Sequence, residues 1–414
     1  MMRRKYKGFV DILQYLIMFI VFAYGYSVYA RMLPGNEYLY VSIIFCVLLF
    51  VLIIVNGKLW TPDLLKSLLL SLYLGIFYLF NINNNSLGAA LFRLYVPLVL
   101  WIIYLGDQYR QGKALVIFKK YSDIVVAFAL VSVVLYLFGT VLHLLPSSID
   151  YYYWRGTTLS ANNYFHLMYE AQEEQFFGMK LIRNCGIFCE APGYATPLCL
   201  SLSYELFGAP KLNKTRVGIL LLTVLTTWST KAICIALCIV LFKMMKIVFA
   251  KERKGRGFLV IFKLLFPFII GFAIIIAIAV LSNKMQQHSF LLRVDSVTAS
   301  LKVFRQNLLF GCGIENEQAI YAYLTVSAAY TGLSMGLTTL LAEGGIVLFA
   351  IYIYGAVHAI RNSDQKNDVI YFILTFILIL FTSNIPFFLS TTTVLAMGIS
   401  IPQNKALDRR KQSL

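Results

Sequence analysis

The chain has 414 residues, 59% of them hydrophobic and 13% charged, with a formal net charge of +17. Soluble domains carry about 25% charged residues, so this composition excludes a soluble enzyme and describes a polytopic membrane protein. The positive charge does not imply nucleic acid, because all but ten of the 36 Lys and Arg fall in short loops or tails on one side of the expected spans, the asymmetry of a cytoplasmic face.

A span needs about 20 apolar residues, fewer where a helix is broken. By that measure the sequence predicts an all-α integral membrane protein, one membrane domain over residues 1–414 with about twelve transmembrane helices and both termini inside. The first span covers 9–30 behind Arg3, Arg4, Lys5 and Lys7, and reads as a span and not a cleaved leader because no small-residue cleavage site follows it. The second covers 38–57 and the third 66–82, with an outer turn at 83–85. The fourth, 88–106, contains Arg93; Lys113, Lys119 and Lys120 follow inside, and the fifth runs 123–145.

Residues 146–184 form a first external loop, and its Tyr151, Tyr152, Tyr153, Trp154, Tyr164 and Tyr169 argue against disorder. The sixth span runs 185–208. The stretch 217–249 has basic residues at both ends, so it goes out and returns as two short helices turning between Thr226 and Lys231. The ninth span runs 258–282. A second external loop, 283–331, contains an amphipathic stretch with Val294, Val297, Leu301, Phe304 and Leu308 at helical spacing, and it closes on F-G-C-G at 310–313. The tenth span, 333–356, carries Glu343 near its middle. The eleventh and twelfth, 368–388 and 389–402, turn near Asn384 and Pro386.

The ten basic residues outside or within the membrane are Arg31, Arg93, Arg155, Lys180, Arg183, Lys231, Lys284, Arg293, Lys302 and Arg305. Residues 183–194 read R-N-C-G-I-F-C-E-A-P-G-Y. A charge held in hydrocarbon costs roughly 3 kcal/mol even on the lenient insertion scale, so such residues usually face a cavity. If the sixth helix starts at Arg183, Glu190 lies two turns below on the same face, about 10 Å away. Pro192 cannot donate to the carbonyl of Phe188, so the helix should bend or open there. The plainer alternative for Arg183 is an ion pair anchoring the helix top. The seven Cys follow no metal-ligand spacing, and a Cys185–Cys189 disulfide would be strained.

Taken in order, R-x-x-G-x-F-x-E at 183–190, T-x-x-S-T at 226–230, an Arg-led external helix, F-G-x-G at 310–313 and L-x-E-x-G at 341–345 resemble the Wzy-like bacterial surface-polysaccharide polymerases and the related O-antigen ligases. The resemblance covers roughly 120–390. It implies a metal-independent, inverting glycosyl transfer without cofactors, from an undecaprenyl-diphosphate-linked oligosaccharide, at the outer face of the bacterial cytoplasmic (inner) membrane. The two external loops would pack over an outer-leaflet cavity, and a flippase and a chain-length regulator would be partners. Three positions depart from the family. Ala191 separates Glu190 from Pro192, Leu308 stands where relatives often have Pro, and Ser334 occupies the place of the ligases' His, which favours polymerase over ligase.

Such a transfer builds charge on the leaving diphosphate, and preorganised cations aimed there are the largest available catalytic effect. Arg suits this better than Lys, because its planar fork pairs bidentately with phosphate. The candidate catalytic residues are therefore Arg183, Arg293 and Glu190, the last as acceptor of the hydroxyl proton, with His166 and His288 as other bases. Candidate substrate contacts are Arg93, Arg305, Glu343, Tyr153 and Trp154. Each has a structural alternative. Arg93 could partner a carboxylate such as Glu190 or Glu343, Arg305 could be a solvated charge, Glu343 an interhelical hydrogen bond, and the aromatics an interfacial belt. On an unbroken helix Arg305 points about 120° away from Arg293, so both do not readily face one diphosphate. A flippase or transporter for lipid-linked oligosaccharide is the competing class. It should line both leaflets with charge, whereas here the buried charges gather in the outer half.

Overall fold

Long apolar runs become helices because a helix satisfies its own backbone where water is absent. The computed structural model describes residues 7–32, 37–56, 58–81, 87–154, 157–176, 179–248, 288–325 and 333–402. Four helices come first: α1 (Lys7–Ala23), α2 (Val28–Met32), α3 (Glu37–Asn56) and α4 (Thr61–Phe80). π-helical turns at Ala90–Tyr95 lead into α5 (Val96–Arg110), and α6 (Leu115–Leu135) runs on into π turns at Tyr136–Val141. Past a β-structured segment come α7 (Ala191–Ser203), α8 (Lys214–Thr226) and α9 (Thr230–Val248). The last five are α10 (His288–Gln306), α11 (Glu317–Tyr321), α12 (Gly336–Asn362), α13 (Lys366–Thr382) and α14 (Leu389–Ser400). The expected ninth span, 258–282, lies outside the described residues, as do Arg155 and Lys284.

Among the described residues, five helical stretches are long and apolar enough to cross a membrane: Leu39–Asn56, Thr61–Phe80, Ala90–Arg110, Leu115–Val141 and Gly336–Asn362. Their outer faces suit lipid. α3 exposes Ile44, Val47, Phe50 and Ile54, and α4 exposes Leu65, Leu68, Leu72, Ile76 and Leu79. Stripes of this length exceed the apolar patches that soluble monomers tolerate. The chain is a mostly helical, membrane-embedded protein.

The helix ends differ from the sequence reading for identifiable reasons. The first helix stops at Ala23. Gly25 has φ +110°, and a Cβ there would lie 2.8 Å from Cδ2 of Phe388. Residues 26–28 then pair with 187–189, where Val28 N donates to Ile187 O (2.8 Å) and Cys189 N to Tyr26 O (2.8 Å). The helix of the expected fifth span, α6, starts at Leu115, so Lys119 and Lys120 ride on it and not in a loop, held by Asp123 (2.8 Å) and Asp11 (2.8 Å). α12 breaks at Gly345, with φ 60° and ψ −166°.

The expected first loop is not irregular. It adds five short strands to the helical bundle. β1 (Ser148–Trp154), β2 (Thr157–Tyr164) and β3 (Met168–Glu170) form an antiparallel sheet, and β4 (Glu173–Phe176) pairs with β5 (Met179–Ile182). Side-chain alternation sends Tyr152 and Trp154 inward while Ile149, Tyr151 and Tyr153 face out. At the end of the bundle away from this sheet, buried and part-buried charges are paired. Asp63 takes Arg110 (Nη2–Oδ1 2.8 Å), Arg216 bridges Asp123 (2.6 Å) and Glu205 (2.8 Å), and Lys246 meets Asp368 (2.6 Å). Pairing offsets the desolvation that single charges would suffer there.

Candidate functional site at the sheet end of the bundle

Arg183 does not start a helix. It follows β5, and α7 begins only at Ala191 with Glu190 as its N-cap. Pro192 therefore sits in the first helical turn, where its missing N–H costs nothing, and it opens no kink. The intervening residues turn at Gly186 (φ +53°), where a Cβ would lie 2.7 Å from the ring of Tyr194. Cys185 and Cys189 are both free thiols in this buried turn.

The Arg183 side chain is tied on three sides. It pairs with Glu174 (2.9 Å) and donates to Gln172 Oε1 (3.3 Å) and to the carbonyl of Trp228 (3.0 Å). Gln172 Oε1 also accepts the N–H of Ala191 (3.1 Å). One guanidinium thus joins the β-structured segment, the α8–α9 turn and the start of α7. Asn184 completes the joint through Thr226 Oγ1 (3.0 Å) and Ser132 Oγ (3.3 Å). The turn itself holds Trp228 at φ +47°.

Lys231 was among the unusual basic positions, but the sequence attached no role to it. It lies on the first turn of α9, 9% exposed. Its ammonium donates to Pro192 O (2.9 Å) and to Ser383 Oγ. Pro192 stands two residues after the N-cap Glu190, so Lys231 ties α9 to the start of α7.

A second cluster lies across the loop 383–385. Arg93 forms an ion pair with Glu315, not with Glu190 or Glu343. The N–H of Glu315, a residue at φ +58°, donates to Glu343 Oε2 (2.7 Å). Burial pushes the Glu315 carboxyl above its ordinary range, and Arg93 opposes that shift. Glu317 accepts from Tyr321 Oη and from Asn384 Nδ2 (3.5 Å), while Tyr26 Oη donates to Asn384 O (2.9 Å). Glu343 is held by a clamp. Cys312 N donates to Ala342 O (2.8 Å), Gly313 N to Glu343 O (3.0 Å), Ile346 N to Leu308 O (2.9 Å) and Val347 N to Leu309 O (3.0 Å). F-G-C-G and the broken helix around Glu343 are one device, because residues 308–313 take up the backbone groups that the break at Gly345 leaves open.

The remaining candidates separate. α10 packs on α12, with Ala299 and Val303 buried in one cluster with Ala342, while Val294, Leu301 and Leu308 of its expected apolar stripe are exposed. Arg293 and Arg305 are both exposed on α10. Trp154 is buried, with Arg31 over its ring (4.9 Å), so it packs and does not stack on ligand, whereas Tyr153 is open to solvent. His166 is exposed, with Nδ1 2.7 Å from Asp150 Oδ2. Sequence reasoning passed over Glu315, Glu317 and Asn384. The first two stand in a polar loop, where a carboxylate carries no signal. Lys231 was detectable as a charge inside an apolar run.

Compared with protein-family models, curated proteins and solved structures, the chain finds no match. Fold and site together define a membrane-embedded helical protein with a charged, hydrogen-bonded assembly at the end of the bundle that carries the sheet.

Proposed function

We propose that the protein is a polysaccharide polymerase of the Wzy-like kind, joining undecaprenyl-diphosphate-linked repeat units at the outer face of a bacterial cytoplasmic membrane. In this reading the sheet end faces outward and the bundle completes about twelve spans. The observation that carries it is the gathering at the start of α7, where Glu190 is the N-cap, of Arg183 through Gln172 and Trp228 and of Lys231 through Pro192 O. It offers cations and a carboxylate of the kind a metal-free transfer from a diphosphate uses.

An acceptor hydroxyl attacks the anomeric carbon of the donor sugar. The carbon–oxygen bond to the diphosphate breaks, the hydroxyl proton passes to the Glu190 carboxylate, and undecaprenyl diphosphate leaves with its charge held by cations. Arg293, exposed, meets the diphosphate. Arg183, committed to Glu174, Gln172 and Trp228, positions the segment that carries Glu190. Arg93 and Glu343 hold the loop at 308–317 in place and are not direct substrate contacts.

Glu190→Gln tests the reading. The variant should leave single repeat units on the outer leaflet with no ladder of longer chains, read by gel of glycan length and by outer-leaflet labelling. Units trapped on the inner leaflet would instead mark a flippase, and a normal ladder would remove Glu190 from the chemistry. Transfer of finished glycan to a different acceptor would mark a ligase. Ser334, in the place of the ligases' His, speaks against that outcome.

A further inference from the structure

α10 turns opposite chemistry to its two sides. Ala299 and Val303 pack in one cluster with Ala342 of α12. Asp295, the one acidic residue of α10, is buried and accepts from Thr325 N (2.9 Å) and Thr325 Oγ1 (2.7 Å). The other side exposes Leu291, Val294 and Leu301 together with Lys302 and Arg305. At about 3.6 residues per turn these five fall within an arc of about 100°. An exposed apolar stripe flanked by cations suits a helix against lipid head groups, where apolar side chains enter the acyl boundary and long basic ones reach phosphate. The stripe is also continuous with lipid-facing surface. Leu308 and Leu309, just past α10, are exposed, and Leu308 O accepts from Ile346 N (2.9 Å). Ile346 heads the exposed row Ile346, Ile353, Tyr354 and Val357 of α12, a helix long and apolar enough to cross a membrane. Phe310 stacks on Phe80 (4.4 Å) at the end of α4, another such helix. Ser334 N donates to Ser296 Oγ (3.5 Å) and Val303 clusters with Ala342, so α10 runs alongside the first turns of α12 in the same direction.

We infer that α10 is a membrane-contact helix: bilayer lipid covers its outward stripe, and Lys302 and Arg305 hold the head-group phosphates of anionic phospholipids in the leaflet at the sheet end. Arg305, offered by the sequence as a substrate contact, is then a lipid contact. A second copy of the chain fits this face less well, because a two-fold interface would set the stripe against itself and oppose its cations. Polymerase activity plays no part in this assignment, so the two readings stand or fall separately.

The test reconstitutes the full-length chain in bilayers of phosphatidylcholine and phosphatidylglycerol. Cys234 and Cys238 are replaced by Ser, since the other five Cys are buried. A fluorophore on Leu301→Cys should be quenched by lipids that carry a nitroxide on the acyl chain and not by aqueous iodide. One on Ser160→Cys, on the exposed side of β2, should show the reverse. When the nitroxide is carried by either lipid in turn, the label at 301 should report a preference for phosphatidylglycerol. That preference should fall roughly fivefold for each of Lys302→Gln and Arg305→Gln. Both side chains are exposed, so the variants should fold like the parent. Inorganic phosphate, at matched ionic strength, should leave the preference intact. Quenching at 301 by iodide alone overturns the inference, as does quenching by neither agent until the protein is diluted in lipid, the mark of a second copy on this face. Loss of the preference to inorganic phosphate would show a free-anion site in place of a lipid face. Equal quenching by the two lipids, or a preference unchanged in the double variant, removes the role given to the two cations.

Discussion

Gly345→Ala attacks the break in α12 directly. Gly345 sits at φ 60° and ψ −166°, a region essentially reserved for glycine. Forcing a side chain to hold such a conformation costs about 1–3 kcal/mol. The added Cβ would also lie 2.6 Å from Gly311 N and 2.5 Å from Leu309 C, both backbone atoms with no rotamer to escape into. Relief requires the 308–313 segment to move away, which stretches the bonds from Ile346 N (2.9 Å) and Val347 N (3.0 Å) to it. Each such bond is worth about 1 kcal/mol. The expected destabilisation is therefore about 3 kcal/mol or more, and the anchoring of Glu343 and Glu315 goes with it. Thermal unfolding in detergent provides the assay, with Gly75→Ala and Gly218→Ala as references. Those two lie in helices with nothing within 4 Å of the new Cβ, so Ala should be neutral or stabilise by about 0.5–1 kcal/mol. If Gly345→Ala unfolds at the same temperature as Gly75→Ala, the clamp does not hold this helix and the role given to Glu343 falls.

Further outcomes follow from the same contacts. Arg183→Ala should lower both stability and polymer formation, whereas Arg293→Ala should lose roughly a hundredfold in rate, about 3 kcal/mol, with unfolding unchanged; a stable Arg183→Ala or an unstable Arg293→Ala reverses those assignments. Lys at position 183 should rescue poorly, because it replaces three directed contacts with a point charge. Arg93→Met and Glu315→Leu should each destabilise by about 2 kcal/mol and the pair by less than the sum, a coupling measured in a double-mutant cycle; additive losses would show that the ion pair does not form. A Cys at position 160, on the exposed side of β2, should react with an impermeant thiol reagent on intact cells, and labelling only after lysis would invert the proposed orientation.

The membrane class was legible without any structure. Hydrophobic runs and the one-sided placement of basic residues report on each segment's own solvent, so composition alone separates lipid-facing helices from loops. The turn at 226–231 and the helix at 288–306 were likewise readable, since end charges and helical spacing are local signals. The aromatic loop was seen to be ordered, but its strands at 148–182 were not. Their alternation is short, and strands are stabilised by partners distant in sequence.

The site depended on contacts that no local pattern encodes. Arg183 and Glu190 looked like two groups on one helix, yet pairing of 187–189 with residues 26–28 keeps that stretch out of helix until Ala191. Arg93 could be recognised as expensive, but its partner Glu315 stands 222 positions away in a polar loop, where a carboxylate is ordinary. F-G-C-G and Leu341–Gly345 read as two weak motifs. They are one clamp, because the backbone opened at Gly345 needs donors and acceptors that only residues 308–313 bring. Lys231 shows the division most plainly. Its sequence position marks it as a charge in an apolar run, while its partners Pro192 and Ser383 come from two other segments. A buried charge announces itself through its cost, which is local, but what compensates it is set by packing, which is not.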